Sequence, residues 1–291
     1  MKKNIITASL ALLLSSIFFV INDGIINYLS SQNIQFYHFI FYGSPAYIAV
    51  PIFLLIRGTL KKNIICNNYW IPLIRGLIFA PMPFITFISL KNITLPEFTT
   101  LNMSAPLIGA IYAYIFLKEK LNSFVYISLA IGFLGVIFVI QPGFDNFNIY
   151  FLVTLFGVML ITTTTTIVNK FNNVTTTLGY FLYGGLIIHI TSFFLFLWDP
   201  IKISFNVFLL ISIASIFINI ALFLATLAFK KAQRHYSAIF CLVYLQIVWS
   251  SLVGFYFFNE YLNKFALIGA CFIVLSGIIS VPGQIKQVTE N

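Results

Sequence analysis

Two stretches of the sequence decide the fold, because each describes one apolar helix with the same beginning and the same end. Residues 118–143 read KEKLNSFVYISLAIGFLGVIFVIQPG, and residues 259–283 read NEYLNKFALIGACFIVLSGIISVPG. The second stretch starts 141 residues after the first, and both carry Glu in second place, Leu-Asn in fourth and fifth place, and a terminal Pro-Gly. An apolar run of this length is typical of a membrane helix, since about 20 apolar residues span the hydrocarbon.

The composition of the whole chain agrees with a membrane protein. Of its 291 residues, 60% are hydrophobic and 8% are charged, whereas a soluble domain carries about 25% charged residues. The apolar runs are continuous rather than alternating, which indicates helices and not a barrel. The net charge of +9 lies in short clusters between the runs, so we expect a lipid bilayer as partner and no nucleic acid.

We predict an all-α membrane protein with ten spans joined by short connections. The predicted spans are residues 5–28, 36–57, 69–90, 96–117, 123–141, 148–168, 178–198, 205–229, 237–258 and 265–282. The apolar run that follows Lys2 and Lys3 lacks a small-residue cleavage site, so we interpret it as a retained first helix. The three cysteines are scattered, which predicts neither a disulfide framework nor a metal site.

The orientation follows from the basic residues, which are kept on the cytoplasmic side of a membrane. With ten spans and a cytoplasmic N-terminus, twelve Lys and Arg residues fall inside and three fall outside. Removing any one span would invert everything after it and spoil this asymmetry. We therefore predict a multi-pass protein of the bacterial inner membrane, with both termini cytoplasmic and residues 284–291 as a tail.

The repeated stretches divide the chain into two halves, which we place at residues 1–143 and 148–283. Ile25-Ile26-Asn27 is matched in the same way by Ile167-Val168-Asn169. Five spans is an odd number, so the second half enters the membrane with the opposite orientation. An inverted repeat of this kind is typical of transporters, which use it to reach two exchangeable states around a central site.

Several motifs resemble those of the drug/metabolite transporter superfamily, in particular its EamA-type ten-helix members. The resemblance covers nearly the whole chain and is carried most specifically by residues 73–76 (LIRG), 95–97 (LPE), 105–107 (APL) and 116–120 (FLKEK). Asn22-Asp23 resembles members that import or exchange S-adenosylmethionine or riboflavin. In the second half, Gln246-Ile247 stands where the family has a mid-helix Pro, which puts the shape of that side of the cavity in question.

The resemblance implies two five-helix bundles around a central cavity, alternating access and a small-molecule substrate. Family members carry many classes of solute, of which we favour a small polar or zwitterionic metabolite such as an amino acid, S-adenosylmethionine or a vitamin. Two other functions stay open, namely a lipid-carrier flippase subunit and a non-transporting membrane partner. A homodimer is one assembly that the sequence allows.

Polar side chains inside the spans are the candidates for the substrate cavity. An ionisable group at the centre of a membrane helix costs at least about 2.5–3.5 kcal/mol, so it usually faces a cavity or a partner. The candidates are Asn22, Asp23, His38, Arg75, Glu97, Asn102, His189, Gln246 and Trp249. Asp23 and Glu97 are also the candidate proton sites.

Each candidate has a structural alternative. Asp23 could be an interfacial residue bonded to neighbouring helices, and Glu97 could serve only the dipole of its own helix. Arg75 lies near a predicted helix start, where we interpret it as an anchor that reaches water, with carboxylate binding as the alternative. The His residues suit interior hydrogen bonds, and Gln246 and Asn102 suit bonds between helices.

Two further features receive a structural interpretation. The run Thr162–Thr166 inside the sixth span favours close helix packing, with one or two of its hydroxyls lining the cavity. Glu119 and Glu260 occupy the same place in the two halves, so we expect them to shape a helix–loop–helix corner.

Catalysis is not expected. The sequence holds no Walker motif, no GxSxG nucleophile motif and no HExxH zinc motif. Asp23 is the one Asp that we place inside a span, whereas an intramembrane aspartyl protease needs two. We therefore predict a protein that is not an enzyme and that needs no cofactor and no metal.

Reporter fusions test the orientation. A reporter fused after residue 33 should report the external side, and one fused after residue 62 should report the cytoplasm, because the basic cluster at Arg57, Lys61 and Lys62 stays inside. Paired reporters, one active outside and one inside, give the measurement. The opposite pattern at both sites would overturn the orientation.

Overall fold

A computed structural model describes residues 2–32, 34–118, 123–140, 148–260 and 264–289. The described residues form fourteen α-helices, two short 3₁₀ segments and one π turn, and they contain no strand beyond a single bridge between Cys66 and Thr175. The helical expectation is therefore confirmed. Glu119, which we expected at a structural corner, lies outside the described residues.

The first half of the chain contains eight helices. They are α1 (Lys2–Ser30), α2 (Phe36–Ile56), α3 (Leu60–Asn63), α4 (Trp70–Phe79), α5 (Met82–Asn92), α6 (Leu95–Asn102), α7 (Ala105–Leu117) and α8 (Ser123–Ile140). The second half begins with three long helices, α9 (Ile149–Lys170), α10 (Thr177–Trp198) and α11 (Phe205–Ala232). It ends with α12 (Tyr236–Cys241), α13 (Gln246–Val253) and α14 (Lys264–Thr289).

Seven helical stretches of the described chain are long and apolar enough to cross a membrane. They are Asn4–Ser30, Phe36–Ile56, Trp70–Asn92, Leu95–Leu117, Ile149–Lys170, Thr177–Trp198 and Phe205–Ala232. Three shorter apolar stretches, Tyr126–Gly135, Leu242–Phe258 and Leu267–Ser276, fall inside the remaining predicted spans. The total of ten spans and their orientation stay predictions. α14 continues to Thr289, so most of the predicted tail is helical, and the bounds of the two halves and of the tail stay predictions.

The fourth and ninth predicted spans are each broken at corresponding positions. In the first half, α6 ends at Asn102 and α7 starts at Ala105, because Pro106 has no N–H to donate to the carbonyl of Asn102. In the second half, a 3₁₀ segment at Leu242–Leu245 precedes α13, which starts at Gln246. Gln246 lies 141 residues after Ala105, so the second half breaks its helix at the same place without a proline.

The same two spans also end alike. Lys118, after α7, has φ 55° and ψ 32°, and Asn259, after the π turn at Gly254–Phe258, has φ 54° and ψ 31°. A left-handed conformation is uncommon in residues other than glycine. Two such residues separated by 141 positions show that the repeated sequence ends its helices in the same way.

The helices pack as a bundle with one pair at its edge. α1 runs along α11, α2 contacts α10 and α11, and α9 contacts α5 and α7. α8 and α14 pair with each other. The backbones of α4 and α10 approach closely at Gly76 and Gly184, where a Cβ added to Gly76 would lie 2.7 Å from the carbonyl oxygen of Gly184. Small residues permit such an approach between membrane helices.

Gly76→Ala should therefore destabilise the bundle. The added methyl meets backbone atoms that cannot move independently, and overpacking of this kind costs about 1–3 kcal/mol. Thermal unfolding in detergent, followed by tryptophan fluorescence, should show a lower midpoint.

Gly24→Ala is the matched control, because the atom nearest to its added methyl is Cγ1 of the Val253 side chain, at 3.1 Å. A side chain can shift where a carbonyl cannot. Equal midpoints for the native chain and Gly76→Ala would contradict the close packing of α4 and α10.

Candidate functional site

A cavity of about 240 Å³ lies at the centre of the bundle. Side chains from α1, α2, α4–α7 and α9–α13 form its wall, and among the described residues α8 and α14 contribute none. Most of the wall is apolar, with a set of polar groups from both halves of the chain. Concave, largely apolar sites with a few placed polar groups are typical of small-ligand binding.

The structure brings six of the nine candidate residues to this wall. They are Asn22, Asp23, Arg75, Asn102, His189 and Gln246. Residues that lie far apart in the sequence, on helices from both halves, therefore meet around one space. This arrangement satisfies the requirement that ionisable groups within the membrane face a cavity or a partner.

Asn22 and Asp23 form the acidic side of the cavity, where both are buried. Nδ2 of Asn22 donates a hydrogen bond of 3.2 Å to Oδ1 of Asp23. Oδ1 of Asn22 is buried without a partner among the described residues. No described Lys or Arg side chain lies within 4.0 Å of the Asp23 carboxylate. This side of the cavity therefore offers oxygen acceptors to a hydrogen-bond donor or a cation.

Arg75 forms the basic side of the cavity. Its Nη1 donates a hydrogen bond of 2.9 Å to the backbone oxygen of Tyr180, and its Nη2 donates one of 3.4 Å to Oγ1 of Thr226. These bonds join α4 to α10 and α11. Its Nε is buried without a partner among the described atoms. The interpretation of Arg75 as an anchor that reaches water is wrong, because the residue is only 8% exposed and lies inside the bundle.

Gly184 makes the space that the Arg75 guanidinium occupies. A Cβ added at Gly184 would lie 2.5 Å from Nη1 of Arg75. The glycine is thus part of the site, although the sequence gives no signal for it.

The side chain of His189, on α10, bonds to its own helix and packs against α2. Its Nδ1 bonds to the backbone oxygen of Gly185 at 2.9 Å, and because a carbonyl only accepts, Nδ1 carries the proton. The ring stacks on Tyr47 with centroids 4.0 Å apart and an angle of 13°. The interior hydrogen bond that we expected is present, and in this tautomer the other nitrogen, Nε2, is an acceptor.

Two of the amide side chains of the wall, Asn102 and Gln246, lie at the helix breaks. Nδ2 of Asn102 donates a hydrogen bond of 3.1 Å to the backbone oxygen of Phe98 in its own helix. Gln246 is buried at the start of α13. Two residues of the Thr162–Thr166 run, Thr164 and Thr165, also line the cavity, in agreement with the prediction that one or two of them would.

Three candidates lie outside the cavity wall, which corrects their prediction as cavity residues. Nε2 of His38 bonds to the backbone oxygen of Asp199 at 2.7 Å and thereby ties α2 to the end of α10. Glu97 accepts bonds from N and Oγ1 of Thr94 and caps α6. Trp249 is 39% exposed on the outside of the bundle. The helix-dipole alternative stated for Glu97 describes what the structure shows.

Sequence reasoning missed several wall residues. Ser15, Ser16, Tyr47 and Thr226 line the cavity, yet each is a small or amphipathic residue of a type that is common in membrane helices. Tyr47 is one of fifteen tyrosines in the chain. These residues differ from others of the same type only because the helix face on which they lie points toward the cavity, and the sequence does not show the direction of that face.

Comparison with known proteins gives one family. Residues 2–141 match the EamA-like transporter family. A solved crystal structure with 15% sequence identity has the same fold, with a TM-score of 0.68 over 96% of this chain and 99% of that chain.

Three relatives have names that describe transport. The S-adenosylmethionine uptake transporter of Rickettsia bellii (strain RML369-C) is 24% identical over 93% of this chain and 91% of its own length. The protein of the same name from Rickettsia conorii (strain ATCC VR-613 / Malish 7) is 25% identical over 93% and 90%. An uncharacterized transporter of Helicobacter pylori (strain J99 / ATCC 700824) is 24% identical over 70% and 71%.

Proposed function

Because residues 2–141 belong to the EamA-like transporter family, we propose that this multi-pass membrane protein moves a small zwitterionic metabolite across the bilayer by alternating access. The observation that carries the proposal is a pair of buried polar atoms without partners in one cavity. They are the acceptor Oδ1 of Asn22 and the donor Nε of Arg75. A buried polar group costs free energy until it is paired, so a bound ligand that supplies both a donor and an acceptor would satisfy them together.

A zwitterion fits this division of the cavity. Its ammonium or sulfonium group would lie against Asp23 and Asn22, where carboxyl and amide oxygens are available as acceptors. Its carboxylate would lie against Arg75, whose planar guanidinium is suited to carboxylates. Asn102, His189 and Gln246 would then contribute neutral polar contacts from both halves.

S-adenosylmethionine is the first substrate to test. It carries a sulfonium, an ammonium and a carboxylate, and two relatives from Rickettsia are named for its uptake. The present cavity of about 240 Å³ lies below the range of about 300–1,000 Å³ of drug-sized pockets. A free amino acid is therefore the second substrate class, and a larger one would need the cavity to widen.

The cycle that we propose uses ten spans, both termini cytoplasmic, and two inverted halves at residues 1–143 and 148–283. The matching helix breaks at Ala105 and Gln246, and the matching left-handed residues Lys118 and Asn259, support that symmetry. Asp23 is the proposed proton site, because it is the buried carboxylate of the cavity. The proposed location is the bacterial inner membrane.

A second cleft favours the alternative of a lipid-carrier flippase subunit. It measures about 570 Å³, lies between α2, α10 and α11, and is lined mostly by apolar side chains such as Ile216 and Phe223. Gly43, Phe181 and Asn219 belong to both this cleft and the central cavity. A lipid-linked substrate could use such a side opening, whereas a metabolite taken from water would not need it.

Uptake by proteoliposomes tests the leading proposal. We expect labelled S-adenosylmethionine or one labelled amino acid to enter the proteoliposomes. Uptake is measured with and without a pH gradient, and its rate should depend on the charged side chains of the cavity. Asp23→Asn and Arg75→Gln should each lower initial uptake at limiting substrate about tenfold to a hundredfold, the effect of losing one charge-assisted hydrogen bond.

Glu97→Gln is the matched control, since it removes a carboxylate that caps its own helix outside the cavity. Its uptake should stay near that of the native chain, because Gln also serves a capping box. Uptake that is unchanged in both cavity variants would contradict the site. Entry of a lipid-linked sugar in place of the metabolites would transfer the proposal to the flippase.

A further inference from the structure

The carboxylate of Glu260 joins the two halves of the chain outside the cavity. Nδ2 of Asn27, on α1, donates a hydrogen bond of 3.3 Å to Oε1 of Glu260. The backbone N–H of Leu95, at the start of α6, donates a hydrogen bond of 3.0 Å to Oε2 of Glu260. Glu260 itself follows the π turn that ends the α13 segment, so one side chain connects two elements of the first half to one of the second.

Close backbone packing surrounds this contact. A Cβ added at Gly24 of α1 would lie 3.1 Å from Cγ1 of Val253. A Cβ added at Gly254 would lie 2.9 Å from Cγ of Pro96 in α6. The two glycines thus let α1 approach the end of α13 and let the π turn approach α6, and Glu260 bonds across the place where these elements meet.

The contact lies between the cavity and the predicted external side. Asn27 follows the cavity residue Asp23 by four positions on α1, which is one helical turn. Leu95 is buried at the outer end of its predicted span. A path from the cavity to the external solution between α1, α6 and the π turn would have to separate these groups and break both bonds.

The backbone directs Glu260 into this position. Asn259 adopts φ 54°, which reverses the chain directly after the helix, and Asn is among the residues that tolerate this conformation. The Glu260 N–H then bonds to the oxygen of Gly254 at 3.0 Å. The side chain is therefore held by its own turn before it meets α1 and α6.

We propose that Glu260 is the latch that holds the external side of the cavity closed. The proposal rests on the alternating-access function given above, and it adds a residue that controls which side is open. In the closed state the carboxylate bonds to Asn27 and to the start of α6. Opening to the outside releases it to water.

Neighbouring charges give the latch a pH dependence. Burial raises the pKa of the Glu260 carboxyl above its usual value, the bonds from Leu95 and Asn27 lower it, and the negative charge of Glu97 on α6 raises it. On α1 the nearest acid is Asp23, one turn deeper, and no described Lys or Arg side chain lies within 4.0 Å. Because the pKa in the closed state exceeds that of a carboxyl in water, proton binding favours closure.

Distances across the external side test the proposal. Spin labels would be placed on cysteines at Ser31, directly after α1, and at Tyr256 of the π turn, both exposed. The distance between them would be measured in lipid nanodiscs without substrate, with the three native cysteines replaced. Glu260→Ala should shift the ratio of short to long distances about tenfold toward the long one, through loss of charge-assisted bonds. Asn27→Ala removes one of the two bonds and should give a smaller shift.

Glu260→Gln and Glu97→Ala are the controls. Gln keeps an acceptor for the Leu95 N–H, so the short distance should persist and lose its dependence on pH. The native chain should shift toward the short distance as the pH falls through the raised pKa of Glu260 toward the usual carboxyl range of about 4. Glu97→Ala removes a carboxylate that bonds within its own helix start and should stay closed.

Two results would overturn the latch. One is a native distance distribution in both Glu260→Ala and Asn27→Ala, and the other is equal opening in Glu97→Ala. Because the distances are recorded without substrate, they do not depend on which solute the protein carries. A failure of the uptake experiment therefore leaves this result unaffected, and a failed latch leaves uptake unaffected.

Discussion

In hydrocarbon every polar group must find its partner within the protein, and the rest of this structure depends on that constraint. It is met easily where helices run unbroken, as in α9, α10 and α11. It is harder to meet where the fourth and ninth predicted spans break, since backbone groups are freed there. Both breaks border the central cavity through Asn102 and Gln246, where irregular backbone is tolerated because it does not meet lipid.

The same constraint explains how the cavity holds charge. Arg75 gives two of its nitrogens to α10 and α11 and keeps Nε unpaired, while Asn22 supports Asp23 and keeps an oxygen unpaired. Most of the polar capacity is used to join helices, and a small remainder is left unpaired in residues of the cavity wall. A transporter site needs this division, because a substrate must be bound by a few groups that the fold itself does not satisfy.

Three acidic residues that the sequence places in or beside predicted spans have different surroundings in the fold. Asp23 lies at the cavity wall, Glu97 caps α6 through Thr94, and Glu260 bonds to α1 and α6 from the other half of the chain. The sequence places each at a helix interior or a helix end, but it does not say which helix stands opposite. Glu97 was therefore predicted as a cavity residue, and Glu260 as part of a corner only.

The sequence by itself determined the helical membrane class, the apolar stretches and the resemblance to a transporter family, because these follow from composition, run length and local motifs. It also pointed to Asn22, Asp23 and Arg75, because ionisable and amide groups in hydrocarbon are costly enough to be informative wherever they occur. The tertiary structure alone decided that Arg75 is buried beside Gly184, that His38 and Trp249 lie away from the cavity, and that Tyr47 and Thr226 line it. The rotation of each helix about its axis sets these positions, and that rotation is fixed by packing against helices that are distant in the sequence.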